Sequence, residues 1–187
     1  TRTTNQPFCS TPGPGFAQGV SSSALDQALD YDGCDDLVDI PFQSTLNTDS
    51  VTLAMWVYID SARFQRDGNN NWISLLRKGN QTSGATTGYD VVLEENGTIA
   101  FDTSHANLSG SHRWWMSRKQ IPFDEWVHLT LTYDNHSKVK YGWINGELVD
   151  SVKLPSNYGG IKPNGSQIFI GNNPSSSPAN GSGTIPG

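Results

Sequence analysis

Short apolar runs separated by turn sequences constrain the fold of this chain more than any other feature. Val51 to Ile59 and Trp126 to Tyr133 place hydrophobic residues at every second position, which is the period of a β-strand. Asn96-Gly97 and Asn145-Gly146 each join two such runs, and Asn-Gly favours the type I′ turn of a tight hairpin, in which both residues have positive φ. The sequence therefore predicts an all-β protein with about ten strands and no helix.

Two of the runs predict different environments. From Trp126 to Tyr133 the apolar residues alternate with polar ones such as His128, as in a strand with one buried face. From Val51 to Ile59 both phases are apolar, because Trp56 and Tyr58 lie between the aliphatic residues. We therefore expect residues 51–59 to form a central strand that is covered on both faces.

The two ends of the chain differ in composition from its middle. Residues 1–23 and 174–187 are rich in Pro, Gly and Ser and contain little to bury, which predicts an irregular lead-in and a flexible tail. The regular domain is then expected to cover residues 24–173. A length of 187 residues fits this single-domain organisation.

Charge and hydropathy exclude two classes of partner. The net charge of −6 gives no basic surface of the kind that binds nucleic acid. No apolar run approaches the roughly 20 residues that span a bilayer. The first residues lack the apolar core of a signal peptide, so we expect the mature form if the protein is secreted.

Asparagine sequons and the two cysteines point to an extracellular protein. There are more Asn-x-Ser/Thr sequons than the roughly three that the composition predicts, which indicates a secreted or cell-surface glycoprotein. Cys9 and Cys34 are candidates for one disulfide that closes a loop of about 26 residues, worth roughly 3.5 kcal/mol, and the alternative is two unpaired thiols. The sequons begin at Asn80, Asn96, Asn107, Asn135, Asn164 and Asn180.

Five segments, taken in order, resemble one fold family. They are Ala28 to Val38, Leu53 to Val57, Trp126 to Asp134, Ile144 to Val149 and Ile170 to Asn173, and they are similar to the laminin G-like, concanavalin A-like lectin/glucanase domains. The resemblance implies a jelly-roll sandwich of two antiparallel sheets. It says less about function, because lectins, adhesion modules, glycosidases and structural domains share this sandwich.

The family usually closes with a further strand after the Ile-Gly-Asn segment, and no such strand follows Asn173 in this sequence. An unpaired sheet edge invites strand addition. We therefore expect either that the sequence is truncated before that strand, or that another segment, a neighbouring chain or a copy of the protein supplies it.

The residues do not form a recognisable catalytic set. Glucanases of this superfamily place two carboxylates on one strand so that both face the same cleft, about 5 Å apart. Glu94 and Glu95 are adjacent, so on a strand they would point to opposite faces. No Gly-x-Ser-x-Gly motif is present, and the four histidines have no evident Ser or Asp partner. The sequence therefore predicts that the protein is not an enzyme, and a carbohydrate-active enzyme is the least favoured alternative.

An acidic turn is a candidate metal site. The resemblance implies that Asp30, Asp32 and Asp35, with Asp36, hold calcium at the rim of the sandwich, as in several relatives. The alternative is a solvated turn in which aspartates accept hydrogen bonds from their own backbone. No cofactor is required, and any calcium is expected to be structural.

Two long stretches, 63–72 and 105–119, are expected to be irregular and to carry the ligand site. Aromatic rings bind the apolar face of a sugar, and neighbouring polar groups bind its hydroxyls. Trp114 and Trp115 are expected to point to opposite faces. The candidate residues are Asn70, Trp72, Arg113, Trp114 and Trp115.

These features together predict a non-catalytic extracellular module that binds glycans or glycoproteins or serves adhesion. The alternative is a glycosylated structural subunit of an extracellular assembly, completed by a strand from another segment or chain.

Overall fold

The computed structural model describes residues 14–21, 23–32, 36–62, 72–79, 81–82, 85–86, 88–105, 111–116 and 118–171. For Trp72, Ser111 and the segments 81–82 and 85–86, only the backbone is described. Several predicted residues lie outside the described ranges, namely Cys9, Cys34, Asp35, Asn70, Asn80, Asn107 and Asn180.

Fourteen strands run through the described residues, and the only helical segment there is a 3₁₀ turn at Ser44–Leu46. This confirms the all-β prediction. The strands are β1 (Gly15–Gln18), β2 (Gln27–Asp30), β3 (Val38–Ile40), β4 (Val51–Tyr58), β5 (Trp72–Lys78), β6 (Gln81–Thr82), β7 (Ala85–Thr86), β8 (Tyr89–Glu94), β9 (Ile99–Ser104), β10 (Ser111–Met116), β11 (Trp126–Asp134), β12 (Val139–Ile144), β13 (Glu147–Lys153) and β14 (Ile168–Ile170).

Two antiparallel sheets form a sandwich. The larger sheet has six strands in the order β10-β9-β8-β5-β14-β3, and the smaller has four in the order β13-β12-β11-β4. Two short ribbons, β1-β2 and β6-β7, complete the described strands. The predicted jelly-roll sandwich is confirmed.

The core lies between the two sheets and follows the predicted alternation. On β11, Val127, Leu129, Leu131 and Tyr133 are at most 1% exposed, whereas the residues between them are half-buried. Phe101 and its neighbours on β8 and β9 cover this row from the six-stranded sheet. A strand with one apolar face buries that face against a second sheet, and β11 behaves in this way.

Strand β4 is not the central strand that its sequence suggested. It lies at the edge of the four-stranded sheet and pairs along its length with β11. Its outward residues Thr52, Ala54, Trp56 and Tyr58 are exposed, and Trp56 is 51% exposed. The prediction of a strand covered on both faces is therefore wrong.

Two strands lie in segments that were expected to be irregular. Residues 15–18, within the predicted lead-in, form β1 and pair with β2. Residues 111–116, within the second predicted irregular stretch, form β10 at the edge of the six-stranded sheet. Pairing with β9 orders this segment, and it does so at the position of the predicted ligand residues.

The two Asn-Gly turns differ in conformation. Asn145 and Gly146 have φ angles of 52° and 80°, as a type I′ turn between β12 and β13 requires. At the β8–β9 turn only Gly97 has a positive φ, 85°, and Gly97 N–H donates to the carbonyl of Glu94. Both hairpins are confirmed, but the second turn is not of type I′.

Candidate functional site

Strand β10 separates the predicted ligand residues onto two faces. Trp114 is 7% exposed and packs in the core between the sheets, so its burial contradicts the predicted ligand contact. Arg113 and Trp115 lie on the other face of the strand and are partly exposed. The guanidinium carbon of Arg113 lies 5.5 Å from the centre of the Trp115 ring. The structure thus places Arg113 and Trp115 together on one face, and Trp114 is not part of the candidate ligand site.

Asp102 on β9 fixes the position of Arg113. The Arg113 Nε–H donates to both Asp102 carboxylate oxygens, at 3.0 and 2.8 Å, and Nη2 donates to Oδ2 at 2.6 Å. These hydrogen bonds raise the pKa of Arg113 above its usual value. Asp102 is 1% exposed, whereas the Arg113 side chain is 31% exposed. A charged group that solvent can reach is therefore held in one rotamer beside an indole ring.

The same sheet carries a second, fully buried ion pair. Arg77 Nη2 lies 2.5 Å from Asp90 Oδ2, both side chains are 0% exposed, and the Ser74 hydroxyl donates to Asp90 Oδ1 at 3.0 Å. Asp90 pairs across the strands with both Arg77 and Asp102. Burial raises the pKa of Asp90, and Arg77 opposes that shift.

A cleft opens between the β1–β2 ribbon and the edge strand β4. Its volume is about 730 Å³, and its walls are mainly apolar and aromatic with three carboxylates. The inward residues of β4, among them Met55 and Val57, are only half-buried, because no strand pairs with the outer edge of β4 among the described residues. The lining includes Asp26, Leu29, Asp30, Tyr31, Met55, Trp56, Asp60 and Trp126.

The acidic turn after β2 directs one carboxylate at its own backbone. Asp32 N–H donates to Asp36 Oδ2 at 2.8 Å, and Asp36 is 1% exposed. Asp30 lines the cleft instead. Within the described ranges, no three His, Cys, Asp or Glu side chains come together as a metal site. This arrangement fits the self-bonded turn better than a cation site, and calcium binding stays a prediction.

Three of the predicted glycan acceptors lie within the described ranges, in different surroundings. Asn96 is exposed at the β8–β9 turn, and Asn135 Oδ1 accepts from Lys138 Nζ at 2.6 Å. Asn164 is tied to Lys78, because its Oδ1 accepts from Lys78 Nζ at 3.0 Å. The amide nitrogen of Asn164 is buried, and no described residue forms a hydrogen bond with it.

Lys140 lies in the interior between the two sheets. It is 0% exposed, and its Nζ donates to the carbonyls of Phe101 at 2.8 Å and His112 at 2.7 Å. Burial lowers its pKa to about 7 and also lowers the pKa of the nearby His105 and His112. Because Lys140 does not reach solvent, it is placed to affect stability rather than to contact a ligand.

The sequence did not indicate the aromatic residues on the outer face of the four-stranded sheet. Trp56 is exposed there, and Trp126 and Trp143 are half-buried. The alternation along each strand could have identified them, because these aromatic residues alternate with residues whose side chains point into the core. In the part of the chain that is described, no helix is long and apolar enough to cross a membrane.

Solved structures with the same fold come from several sources. The binding domain of Paraclostridial Mosquitocidal Protein 1 has a TM-score of 0.62 at 17% identity, covering 84% of this chain and 37% of its own. Domain 4 of AbnA, an extracellular arabinanase from Geobacillus stearothermophilus, in complex with arabinotriose, has a TM-score of 0.55 at 15% identity, covering 86% and 66%. Mouse laminin α1 chain domains LG4-5 have a TM-score of 0.56 at 12% identity, covering 95% and 42%.

The TM-scores show a shared fold, whereas identities this low give no information on which residues form the site in this chain. The chain spans only 37% of the length of the mosquitocidal protein's binding domain. No curated protein matches it. The family profile described as concanavalin A-like lectin/glucanases superfamily, of laminin G type, matches residues 32–184. The protein therefore belongs to this laminin G-like family of the concanavalin A-like lectin/glucanase superfamily.

Proposed function

We propose that this chain is a non-catalytic glycan-binding module of an extracellular protein, which attaches that protein to glycans or glycoproteins. One observation carries the proposal, namely the Arg113–Asp102 ion pair beside the partly exposed ring of Trp115. The similar AbnA domain in complex with arabinotriose supports a saccharide as the ligand class.

The chemistry of this pair suits a sugar. An indole face packs against the C–H face of a pyranose or furanose ring, and a fixed guanidinium donates to hydroxyls or a carboxylate. Because Asp102 already holds Arg113, binding would cost little further side-chain entropy. Preorganised donors of this kind favour specific binding of one saccharide orientation.

Catalysis has less support than binding. Glu94 is the last residue of β8 and Glu95 begins the turn, so the two carboxylates do not share a strand face. Retaining glycosidases need two carboxyl groups about 5 Å apart on either side of the scissile bond. The proposal further includes a secreted or cell-surface location, with a glycan on the exposed Asn96 and a Cys9–Cys34 disulfide.

Substitution of Trp115 by Ala should weaken glycan binding at least about tenfold, since an aromatic anchor contributes roughly 1.4 kcal/mol or more. The wild type is first screened on an array of soluble glycans that includes arabino-oligosaccharides. Calorimetry with the strongest binder then gives the affinity of each variant. Arg113→Lys should also weaken binding, because lysine keeps the charge and loses the planar fork.

Trp143→Ala is the matched control, because Trp143 is a partly buried Trp on the opposite sheet. It should leave the affinity for the soluble glycan within about twofold. The proposal is wrong if the wild type binds no glycan on the array, or if Trp115→Ala binds as tightly as the wild type.

A second candidate is a structural subunit completed by a strand from another segment or chain. The half-buried inward residues of β4 and the adjoining cleft of about 730 Å³ favour it. An added strand would pair with the outer edge of β4 and cover Met55 and Val57. The glycan-binding and strand-addition proposals involve different sheets and are tested separately.

Hydrogen exchange of the native protein, purified from its source, tests strand addition. If a strand is bound, we expect the β4 amides to exchange as slowly as those of β11, which is paired on both sides. Strand β13 is the internal control, because it forms the other edge of the same sheet. Exchange of β4 at the rate of the outer β13 amides would contradict strand addition.

A further inference from the structure

The outer face of the four-stranded sheet carries a group of aromatic rings that the site at Arg113 and Trp115 does not use, although three of the rings also line the cleft beside β4. They come from β4, β11 and β12, and we call them the aromatic face. Its members are Trp56, Tyr58, Trp126, His128, Tyr141 and Trp143.

Strand register places these rings in contact with one another. Trp56 pairs with His128 at a ring separation of 5.0 Å, and Tyr58 pairs with Trp126 at 5.6 Å. Tyr141 and Trp143, two residues apart on β12, lie 5.5 Å apart. Cross-strand neighbours restrain the four rings on β4 and β11, and Tyr141 and Trp143 restrain each other along β12.

Two of these rings are exposed to solvent, and the other four are half-buried. Trp56 is 51% exposed and Tyr58 is 36% exposed, and Leu148 at the margin of the face is 53% exposed. Large apolar groups gathered on one surface usually mark an interaction site. The packing of the sandwich does not require them, because the core lies on the other face of the same strands.

The centre of the aromatic face is uncharged. Ala54, Thr130 and Thr132 fill the outward positions between the rings, so these positions of the described strands carry no carboxylate, lysine or arginine. Charged residues such as Glu147 and Lys153 lie on β13 at the margin. In a protein of net charge −6, a surface without charge is matched to a neutral ligand rather than to a charged polymer.

The size of the face favours a glycan over a protein. Four strands spaced about 4.8 Å apart give a width of about 14 Å, and the outward positions from Trp126 to Thr132 extend about 20 Å. The resulting area of roughly 300 Å² is well below the roughly 800 Å² per partner of a stable protein interface. It is large enough for several sugar rings lying flat.

We propose that the aromatic face binds a neutral, extended polysaccharide, whose sugar rings stack on Trp56 and Trp143. Trp56 pairs with His128 on β11, and Trp143 pairs with Thr130 two residues farther along the same strand. The two indoles are therefore offset both across and along the strands, so that one chain crosses them obliquely. This inference goes beyond the proposed function, because it assigns a second glycan-binding surface on the other sheet, which binds an insoluble neutral polysaccharide.

The test is retention of the protein on insoluble neutral polysaccharides. The probes are microcrystalline cellulose, chitin, β-1,3-glucan, mannan and starch granules, each in 1 M NaCl to remove ionic binding. We expect the wild type to bind at least one of them. Trp143→Ala should lower the binding constant about tenfold or more, whereas Trp143→Phe should restore most of it.

Trp143 is chosen because it lies two strands away from the cleft beside β4. Trp115→Ala is the matched control, and it should keep binding to the insoluble polysaccharide while losing the soluble glycan. Circular dichroism and urea unfolding verify that each variant is folded. The two variants therefore distinguish a failure of the proposed site at Trp115 from a failure of the proposed site on the aromatic face.

Several outcomes would overturn the inference. They are absence of wild-type retention on every polysaccharide, equal retention of Trp143→Ala, and equal loss with Trp115→Ala. Sedimentation of the wild type and of Trp143→Ala, which measures the oligomeric state, gives a further outcome that would overturn the inference. A dimer that Trp143→Ala dissociates would show that a second copy occupies the aromatic face.

Discussion

The free energy of unfolding is expected to rise by roughly 3 kcal/mol between about pH 7 and about pH 9.5, because of Lys140. Burial lowers the pKa of Lys140 to about 7 in the folded protein, whereas an unfolded lysine titrates near 10.4. Between these values the unfolded chain binds one more proton than the folded chain. Folding therefore becomes more favourable as the pH rises, and this contribution is lost as the pH falls through the folded pKa.

Other groups near Lys140 limit the pH window of the experiment. His105 and His112 also have lowered pKa values, so their effect falls at lower pH, where unfolded histidines gain protons. The pKa values of Tyr133 and Tyr158 are raised to about 12, so their contribution is lost only as the pH rises past about 10. Asp102 favours the charged form of Lys140 and opposes the effect of burial.

Lys140→Met should remove most of the rise in stability, since Met has a similar volume and no charge. A smaller rise should remain, because burial also lowers the pKa of Lys78. Urea unfolding at three pH values between about 7 and 9.5 measures the slope. Lys153→Met is the matched control, because Lys153 is exposed on the neighbouring strand. A slope in Lys140→Met equal to that of the wild type would refute the assignment to Lys140.

Asp90→Asn should lower the free energy of unfolding by about 3–5 kcal/mol. The substitution leaves the guanidinium of Arg77 charged and 0% exposed, without a carboxylate beside it. Its Nε and Nη1 atoms are already buried without hydrogen-bond partners in the described part of the chain. An uncompensated buried charge costs much more than the ion pair itself contributes.

A double-mutant cycle makes this prediction sharper. Arg77→Met combined with Asp90→Asn should recover most of the loss, because neither position then carries a buried charge. The exposed pair of Lys119 and Glu147 is the control, with nitrogen and oxygen 3.0 Å apart. Glu147→Gln should cost under about 1 kcal/mol. A loss in Asp90→Asn as small as that of Glu147→Gln would contradict the prediction.

The sequence predicted which segments form strands, and their order along the chain, better than it predicted which strands lie side by side in a sheet. The alternation on β11 correctly separated inward from outward residues, because one face was apolar and the other polar. On β4 both phases are apolar, and the pattern could not distinguish a second covering layer from an exposed aromatic face. That distinction depends on which strand lies at the sheet edge, which is a property of the topology.

The candidate site was only partly predictable. Alternation separated Trp114 from Trp115, but the sequence did not indicate which of the two would be buried. The partner of Arg113 could not be found either, because Asp102 lies on another strand and the register of β9 with β10 brings the two together. The sequence did not predict strand β10, because Arg113 interrupts its apolar pattern. In the structure, Asp102 on the neighbouring strand neutralises the charge of Arg113.

The contact between Lys78 and Asn164 bears on the choice of expression host. Lys78 Nζ also donates to Asn47 Oδ1 at 2.9 Å, so one ammonium group joins two loops to β5. Asn164 is half-buried and its amide nitrogen is buried, so a glycan that an oligosaccharyltransferase attaches there before folding would displace the contact with Lys78. A eukaryotic host thus sets folding in competition with modification at this position, whereas a host without that enzyme yields one uniform chain.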